Sequence, residues 1–239
     1  MLLEIKNISK SFENETVLRD LSFAVSGRET VSVLGKSGIG KTTLMKIIAG
    51  ILEADRGQVL LNGEDVHQMI PHKRNLVYLY QETLLFPNKT VFENIAFGLR
   101  VRDTSGEEIR QRTHAMIDSL ELTGKAERMP HELSGGQKQR VAFGRALIIN
   151  PEVLLLDEPF GNLDVETRKS MQDLFKKMAK KYRITSLFVT HDLKEAILMG
   201  DRIGLMKNNQ LRMYNSTGEF VEDPASGVDD EIEFWNSLR

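Results

Sequence analysis

The chain has 239 residues, with 32 Lys+Arg against 34 Asp+Glu for a formal net charge of −2, and no cysteine. A disulfide framework and a zinc site built on thiolates are thereby excluded, and with 41% hydrophobic and 28% charged residues the chain is neither collagen-like, coiled-coil nor wholly disordered. The length suits one large or two small domains with a true core, and the balanced charge argues against a nucleic-acid reader, which needs a basic face.

The chain opens Met-Leu-Leu-Glu, with Glu4 where a leader peptide needs an apolar core. No apolar run is long enough to span a bilayer. The expectation is a cytosolic chain whose membrane partners, if any, supply the spans.

Leu3, Ile5 and Ile8, then Val17, Leu21, Phe23 and Val25, alternate with polar residues around a turn at Glu13, Asn14 and Glu15, which predicts antiparallel strands with one wet face. Residues 30–34, Thr-Val-Ser-Val-Leu, then run into a glycine-rich loop. Leu44, Ile47, Ile48 and Ile51 then have helical spacing over residues 43–52, with Gly50 placed to close the helix. A short strand and turn follow at 59–63. Residues 91–147 read as mostly helical. Beyond them, an apolar run at 153–156, a short run at 185–190 and a strand at 202–206 alternate with helices over 165–182 and 193–199, a pattern that predicts a parallel sheet covered on both faces. The tail, 223–239, reads as a surface appendix with one small docking helix near Trp235.

Residues 35–42, Gly-Lys-Ser-Gly-Ile-Gly-Lys-Thr, match the phosphate-binding P-loop pattern between a strand and a helix. Backbone N–H groups of Gly35, Ser37, Gly38 and Gly40 can converge on phosphate oxygens at a helix N-terminus. Lys41 would reach the β and γ phosphates, and Thr42 would hold Mg2+. A second site follows the run at 153–156: Asp157 stands where Mg2+ would be held, mostly through water, and Glu158 where an attacking water would be oriented and polarised. Standing alone, these acids are equally well ordinary acids ending a strand. In the third site, Leu133 to Gln137, Ser134 is either a helix cap or, with Gly135 and Gly136, part of a second anion cradle.

In these residues the sequence resembles the ATP-binding subunit of ABC transporters. The resemblance is carried by residues 35–42, Gln81, residues 133–142, residues 156–159 with Leu163 and Asp164, and His191, and it covers about residues 2–215. It implies an α/β P-loop NTPase with a mixed core sheet flanked by helices, an N-terminal antiparallel β subdomain and a helical subdomain at about 91–147. The ATPase domain would span 1–222, with 223–239 a short tail. It also implies ATP and Mg2+, bound between two copies packed head to tail. In that arrangement Thr43 joins the phosphate loop. Ser134, Gly135, Gly136 and Gln137 of the other copy enclose the γ-phosphate, and Glu158 is the general base. His191 bridges the γ-phosphate and the Glu158 region, and Gln81 touches Mg2+ or the attacking water. Asp164 crosses the interface, and adenine stacks on Phe12. Each has a plainer rival: Gln81 a surface residue, His191 a cap, Phe12 core, Asp164 a helix N-cap.

Ile39 replaces a commonly small residue, Tyr80 stands where Phe is usual, and Phe160, Gly161 and Asn162 depart from the commoner sequence after the acid pair. None removes a chemical group. Residues 85–99 look like the subgroup that powers bacterial uptake of oxyanions, polyamines, sugars and iron, in which this stretch lies beside the cleft for the membrane subunit; Phe86 and Phe92 are there either exposed docking groups or core. No C-terminal regulatory β-domain is expected. The resemblance thus implies an ATP-hydrolysing importer motor on the inner face of the membrane, partnered by permease subunits, a second copy and, indirectly, an extracytoplasmic substrate-binding protein. The alternatives are an exporter motor, a soluble ABC-type ATPase acting on ribosomes or DNA, or a small-molecule kinase, which would not need Ser134 to Gln137.

Overall fold

The computed structural model describes residues 1–13 and 15–237, the side chain of Trp235 excepted. Asn14 of the expected turn, the Trp235 side chain, and the last two residues of the expected tail lie outside the described residues. In chain order the elements are β1 (Leu3–Phe12), β2 (Glu15–Val25), β3 (Thr30–Gly35), α1 (Lys41–Ala49), β4 (Arg56–Leu61), β5 (Glu64–Asp65), β6 (Leu76–Leu79), α2 (Val91–Arg100), α3 (Gly106–Ser119), α4 (Gly135–Leu147), β7 (Val153–Asp157), α5 (Val165–Tyr182), β8 (Ser186–Thr190), α6 (Leu193–Met199), β9 (Arg202–Lys207), β10 (Gln210–Tyr214), α7 (Thr217–Glu222) and α8 (Val228–Ser237). They form two compact units, residues 1–76 with 185–239, and residues 77–184. No described helix is long and apolar enough to cross a membrane.

The first unit holds an antiparallel sheet in the order β2–β1–β4–β5. Leu3, Ile5, Ile8, Leu21, Phe23 and Val25 are buried as expected, but near the start of β2 the buried residue is Leu18, while Val17 is half-buried. Beside it in sequence stands the run β10–β9–β3–β8, in which β3 is parallel to β8 and β9 while β10 is antiparallel to β9, so the sheet is mixed. Every residue of β3 and β8 is buried, so their apolar residues are not interleaved with exposed charged ones, and the polar residues they do carry, Thr30, Ser32, Ser186 and Thr190, are small hydroxyl residues.

Three features differ from the sequence reading. The helix expected over 43–52 runs Lys41–Ala49, because Gly50 turns left-handed at φ 77° and Ile51 and Leu52 return their N–H groups to the Lys46 carbonyl; Ile51 is 47% exposed. The unanticipated β10 is made by a two-residue turn, Asn208 and Asn209 at φ 51° and 63°, a conformation asparagine tolerates and hairpins favour. The C-terminal segment is only partly a surface appendix. Phe220 of α7 and Val228 of α8 are buried in one apolar cluster with Leu34, Ala196, Ile203 and Tyr214, while Ile232 and Phe234 stay exposed.

In the second unit β7 is wholly buried and lies next to β6. The long helical stretch is three helices. Each begins at a residue whose side chain accepts a backbone N–H in the first turn: Thr90 for α2, Ser105 for α3, Ser134 for α4.

Candidate nucleotide site

In the first unit the candidate residues gather where strands end. Leu34 pairs with Thr190, so the loop after β3 and His191 after β8 leave the C-terminal ends of adjacent parallel strands, the usual place for a ligand in an α/β sheet. The loop is held by its backbone. Gly40 has φ 106°, and a Cβ there would lie 2.8 Å from Val17 Cγ1 and 2.9 Å from Leu18 Cδ2, so only glycine fits. No side chain caps α1, which leaves its N-terminus to the loop and to whatever the loop holds. Ile39 folds over Gly35, its Cγ2 3.0 Å from the place a Cβ would take, so its bulk is absorbed within the loop.

Lys41 is buried and donates from Nζ to the carbonyl oxygens of Gly35 at 2.8 Å and Lys36 at 3.1 Å. Its ammonium is therefore arched over the loop. Ser37, Gly38 and Thr42 are exposed and Thr43 half-buried. Phe12 ends β1 and is 46% exposed, with the Lys10 ammonium 5.5 Å from its ring centre, so it is not core. His191 is exposed. The backbone just before it is fixed by Thr190, whose hydroxyl accepts the Asp192 N–H at 3.0 Å and donates to buried Glu195 at 2.5 Å.

In the second unit Asp157 ends β7 and is 6% exposed, and its Oδ2 accepts a hydrogen bond from the Tyr78 hydroxyl at 2.6 Å. Burial first, and then the bond to Asp157, raise the Tyr78 phenol above its ordinary range, so it stays a donor. Glu158 follows at φ 44°, in the left-handed region that costs a non-glycine residue about 1 kcal/mol or more. The structure brings Gln81 to it. A Cβ placed on Gly161 would lie 3.3 Å from Gln81 Nε2 and 4.0 Å from Glu158 Oε2.

Ser134 caps α4. Its Oγ accepts the Gln137 N–H at 3.3 Å, and Gln137 Oε1 accepts the Ser134 N–H at 3.1 Å. The two thus lock each other, and Gly135 stands exposed between them. Asp164 caps α5 through Thr167, and the N–H and hydroxyl of Thr167 hold its carboxyl below the usual range. A groove of about 410 Å³ is lined by Ser134, Gly136, Gln137, Arg140, Glu166 and Thr167. Another, of about 340 Å³, joins Gln81 to Gly135, Gln139 and Pro159. Phe86 and Phe92 are half-buried rather than exposed docking groups. Phe86 packs 4.6 Å from the Phe97 ring with the Arg145 guanidinium 5.0 Å from its centre, and Phe92 packs 5.2 Å from the His114 ring. Phe97 within that stretch and Leu84 just before it are exposed.

The ABC transporter sequence profile matches residues 18–161. Over 226 residues the chain is 46% identical to a molybdate/tungstate import ATP-binding protein of Thermococcus kodakarensis, covering 95% of this chain and 68% of the relative. It is 44% identical to a sulfate/thiosulfate import ATP-binding protein of Chromobacterium violaceum, covering 95% and 64%, and 42% identical to a spermidine/putrescine import ATP-binding protein of Haemophilus influenzae, covering 94% and 60%. The chain belongs to the ABC transporter family. Among solved structures the cbiO1 protein of Clostridium perfringens, part of the ABC transporter complex cbiONQ, superposes with a TM-score of 0.85 at 25% identity, covering 96% of this chain and 93% of that one.

As a member of the family the chain is an ATP-binding ATPase subunit with the expected α/β fold, and its named relatives stand on the importer side rather than with exporters or soluble ATPases. Tyr78 and Gln139 are the site neighbours that the sequence reading missed. Tyr78 sits two residues from Tyr80 on the strand leading to Gln81. Gln139 is a polar residue on the buried face of α4 and donates from Nε2 to the Pro159 carbonyl at 2.8 Å. A polar side chain inside an apolar helical face was the available signal.

Proposed function

We propose that this chain is the ATP-hydrolysing motor of a membrane importer, working at the inner face of the membrane on permease subunits that contribute the spans. The observation that carries the catalytic part is Glu158, set in a strained conformation at the end of a buried strand beside Gln81. Strain of this kind persists where a side chain has to be aimed.

In this reading the N–H groups of residues 35–43 cradle the phosphates and Lys41 turns its ammonium from its own loop carbonyls to the β and γ oxygens. Phe12 offers its exposed ring to adenine. Glu158 accepts a proton from water as the water oxygen bonds to the γ-phosphorus. The bond to the β–γ bridging oxygen then breaks, giving ADP and phosphate. Gln81 orients that water, and His191 holds the γ-phosphate toward Glu158. Thr42, Gln81 and Asp157 offer a hydroxyl, an amide oxygen and a carboxylate, a hard-oxygen set that suits Mg2+. When bound, Mg2+ neutralises charge on the β and γ phosphates. Two copies pack head to tail, and the Ser134 to Gln137 loop of one, already locked by its capping pair, presents Gly135 and Gly136 to the nucleotide on the other. Asp164 lies at the same interface. The domain is read as residues 1–222, with its helical part at about 91–147 and a short tail beyond.

The named relatives import chemically unlike cargo, an oxyanion in two cases and a polyamine in the third. Cargo choice is accordingly assigned to the permease and an extracytoplasmic binding protein, and nucleic acid is no partner. The test is capture. A tagged Glu158→Gln chain loaded with ATP and Mg2+ is expected to retain a multi-span membrane protein from solubilised native membranes. Retention of ribosomes or DNA-repair proteins without a membrane protein would overturn the transport reading.

A further inference from the structure

The hydroxyl of Tyr78 lies 2.6 Å from Oδ2 of Asp157, a residue only 6% exposed. A hydrogen bond from a hydroxyl to a carboxylate at that distance belongs to the strong, charge-assisted kind. It fixes the rotation of the carboxylate about its last bond. The Tyr78 ring is itself braced, with the Tyr80 ring centre 4.3 Å away at a tilt of 42°. Tyr80 is the residue immediately before Gln81. One strand end thus carries a group that grips Asp157 and, three residues on, a group that lies with Glu158 around Gly161.

We propose that Tyr78 is a positioning residue for the Mg2+ of this ATPase: its hydroxyl sets the orientation in which Asp157 meets the metal or its water, and the Tyr78–Tyr80 ring pair ties that orientation to the segment bearing Gln81. The inference rests on the reading that Asp157 holds Mg2+. Partners that orient metal-binding side chains typically contribute about 10- to 100-fold to metal affinity. The lower end is expected for a metal held largely through water.

The experiment is a Mg2+ titration of the full chain in saturating β,γ-imido analogue of ATP, read as the rise in melting temperature, with analogue affinity in EDTA measured alongside. Tyr78→Phe keeps the ring and removes only the hydroxyl. It should move the Mg2+ midpoint up about tenfold and leave affinity in EDTA unchanged. A purely structural hydroxyl would instead lower the Mg2+-free melting temperature and leave the midpoint where it is, and that result overturns the proposal. Asp157→Asn separates the two levels of the reading. If it abolishes the Mg2+ response while Tyr78→Phe behaves as wild type, Tyr78 alone loses its role. If Asp157→Asn keeps the wild-type response, the assignment of Asp157 to the metal falls and the inference falls with it.

Discussion

Gln139, in the second turn of α4, donates from Nε2 to the carbonyl oxygen of Pro159 at 2.8 Å, and both residues are buried. This ties the helix that begins at Ser134 to the loop that follows Glu158. The two candidate elements are therefore mechanically joined, although 20 residues of sequence separate the bonded pair.

Replacing Gln139 by leucine should leave the Pro159 carbonyl buried and unpaired, at a cost of about 1–3 kcal/mol. Urea unfolding is expected to show that loss. Turnover should fall more than nucleotide binding, because the loop that strains Glu158 loses a support. A variant with unchanged stability and turnover would show the bond to be incidental.

Arg74 and Gly50 make a second linked pair. The buried Arg74 guanidinium donates to the carbonyl oxygens of His67, Met69, Ile47 and Ile48, closing the C-terminal end of α1. A Cβ on Gly50 would lie 2.4 Å from Arg74 Nε, at a backbone φ of 77°. Gly50→Ala should destabilise the wild type by about 2 kcal/mol or more, from backbone strain and from the collision. In an Arg74→Ala background only the strain remains. The double-mutant cycle should give a coupling of about 1 kcal/mol or more, read from denaturant unfolding of the four proteins. Additive losses would contradict the packing described.

Tyr214 is fully buried and donates to Asp223 Oδ2 at 2.7 Å; burial above all, and then that bond, push its phenol from 10.0 up to about 12. The unfolded chain releases this proton near its ordinary value while the folded chain keeps it. The contribution to stability is therefore intact below about pH 10 and lost as pH climbs toward 12. Tyr78, also raised, acts in the same direction. Unfolding midpoints measured across that window should fall, and Tyr214→Phe should flatten part of the fall. An equally steep fall in the variant would place the effect elsewhere.

What the sequence revealed was what is local in the sequence. The phosphate loop at 35–42 is contiguous, and its glycines announce the backbone that Gly40 adopts. The buried strand β7 announces itself by an unbroken apolar run, and β3 and β8 by short runs of apolar and small hydroxyl residues without a charge. Ser134 and Asp164 could be read as caps or as ligands, and the structure shows the caps. The partners of Asp157 and Pro159 were illegible because they come from another strand and another helix, 79 and 20 residues away. Strand β10 was missed because its signal is a pair of asparagines in left-handed conformation rather than a glycine turn. The sequence left Phe86 and Phe92 as either exposed docking groups or core, and only the packing of Phe97, Arg145 and His114 around them shows them half-covered.

The central claim is that Glu158 is the base of an ATPase. It is tested most directly by measuring ATP binding and steady-state hydrolysis for the wild type and Glu158→Gln side by side. The account predicts binding within a few-fold of wild type and hydrolysis reduced by about 10²- to 10⁴-fold. Hydrolysis by Glu158→Gln at the wild-type rate would contradict it.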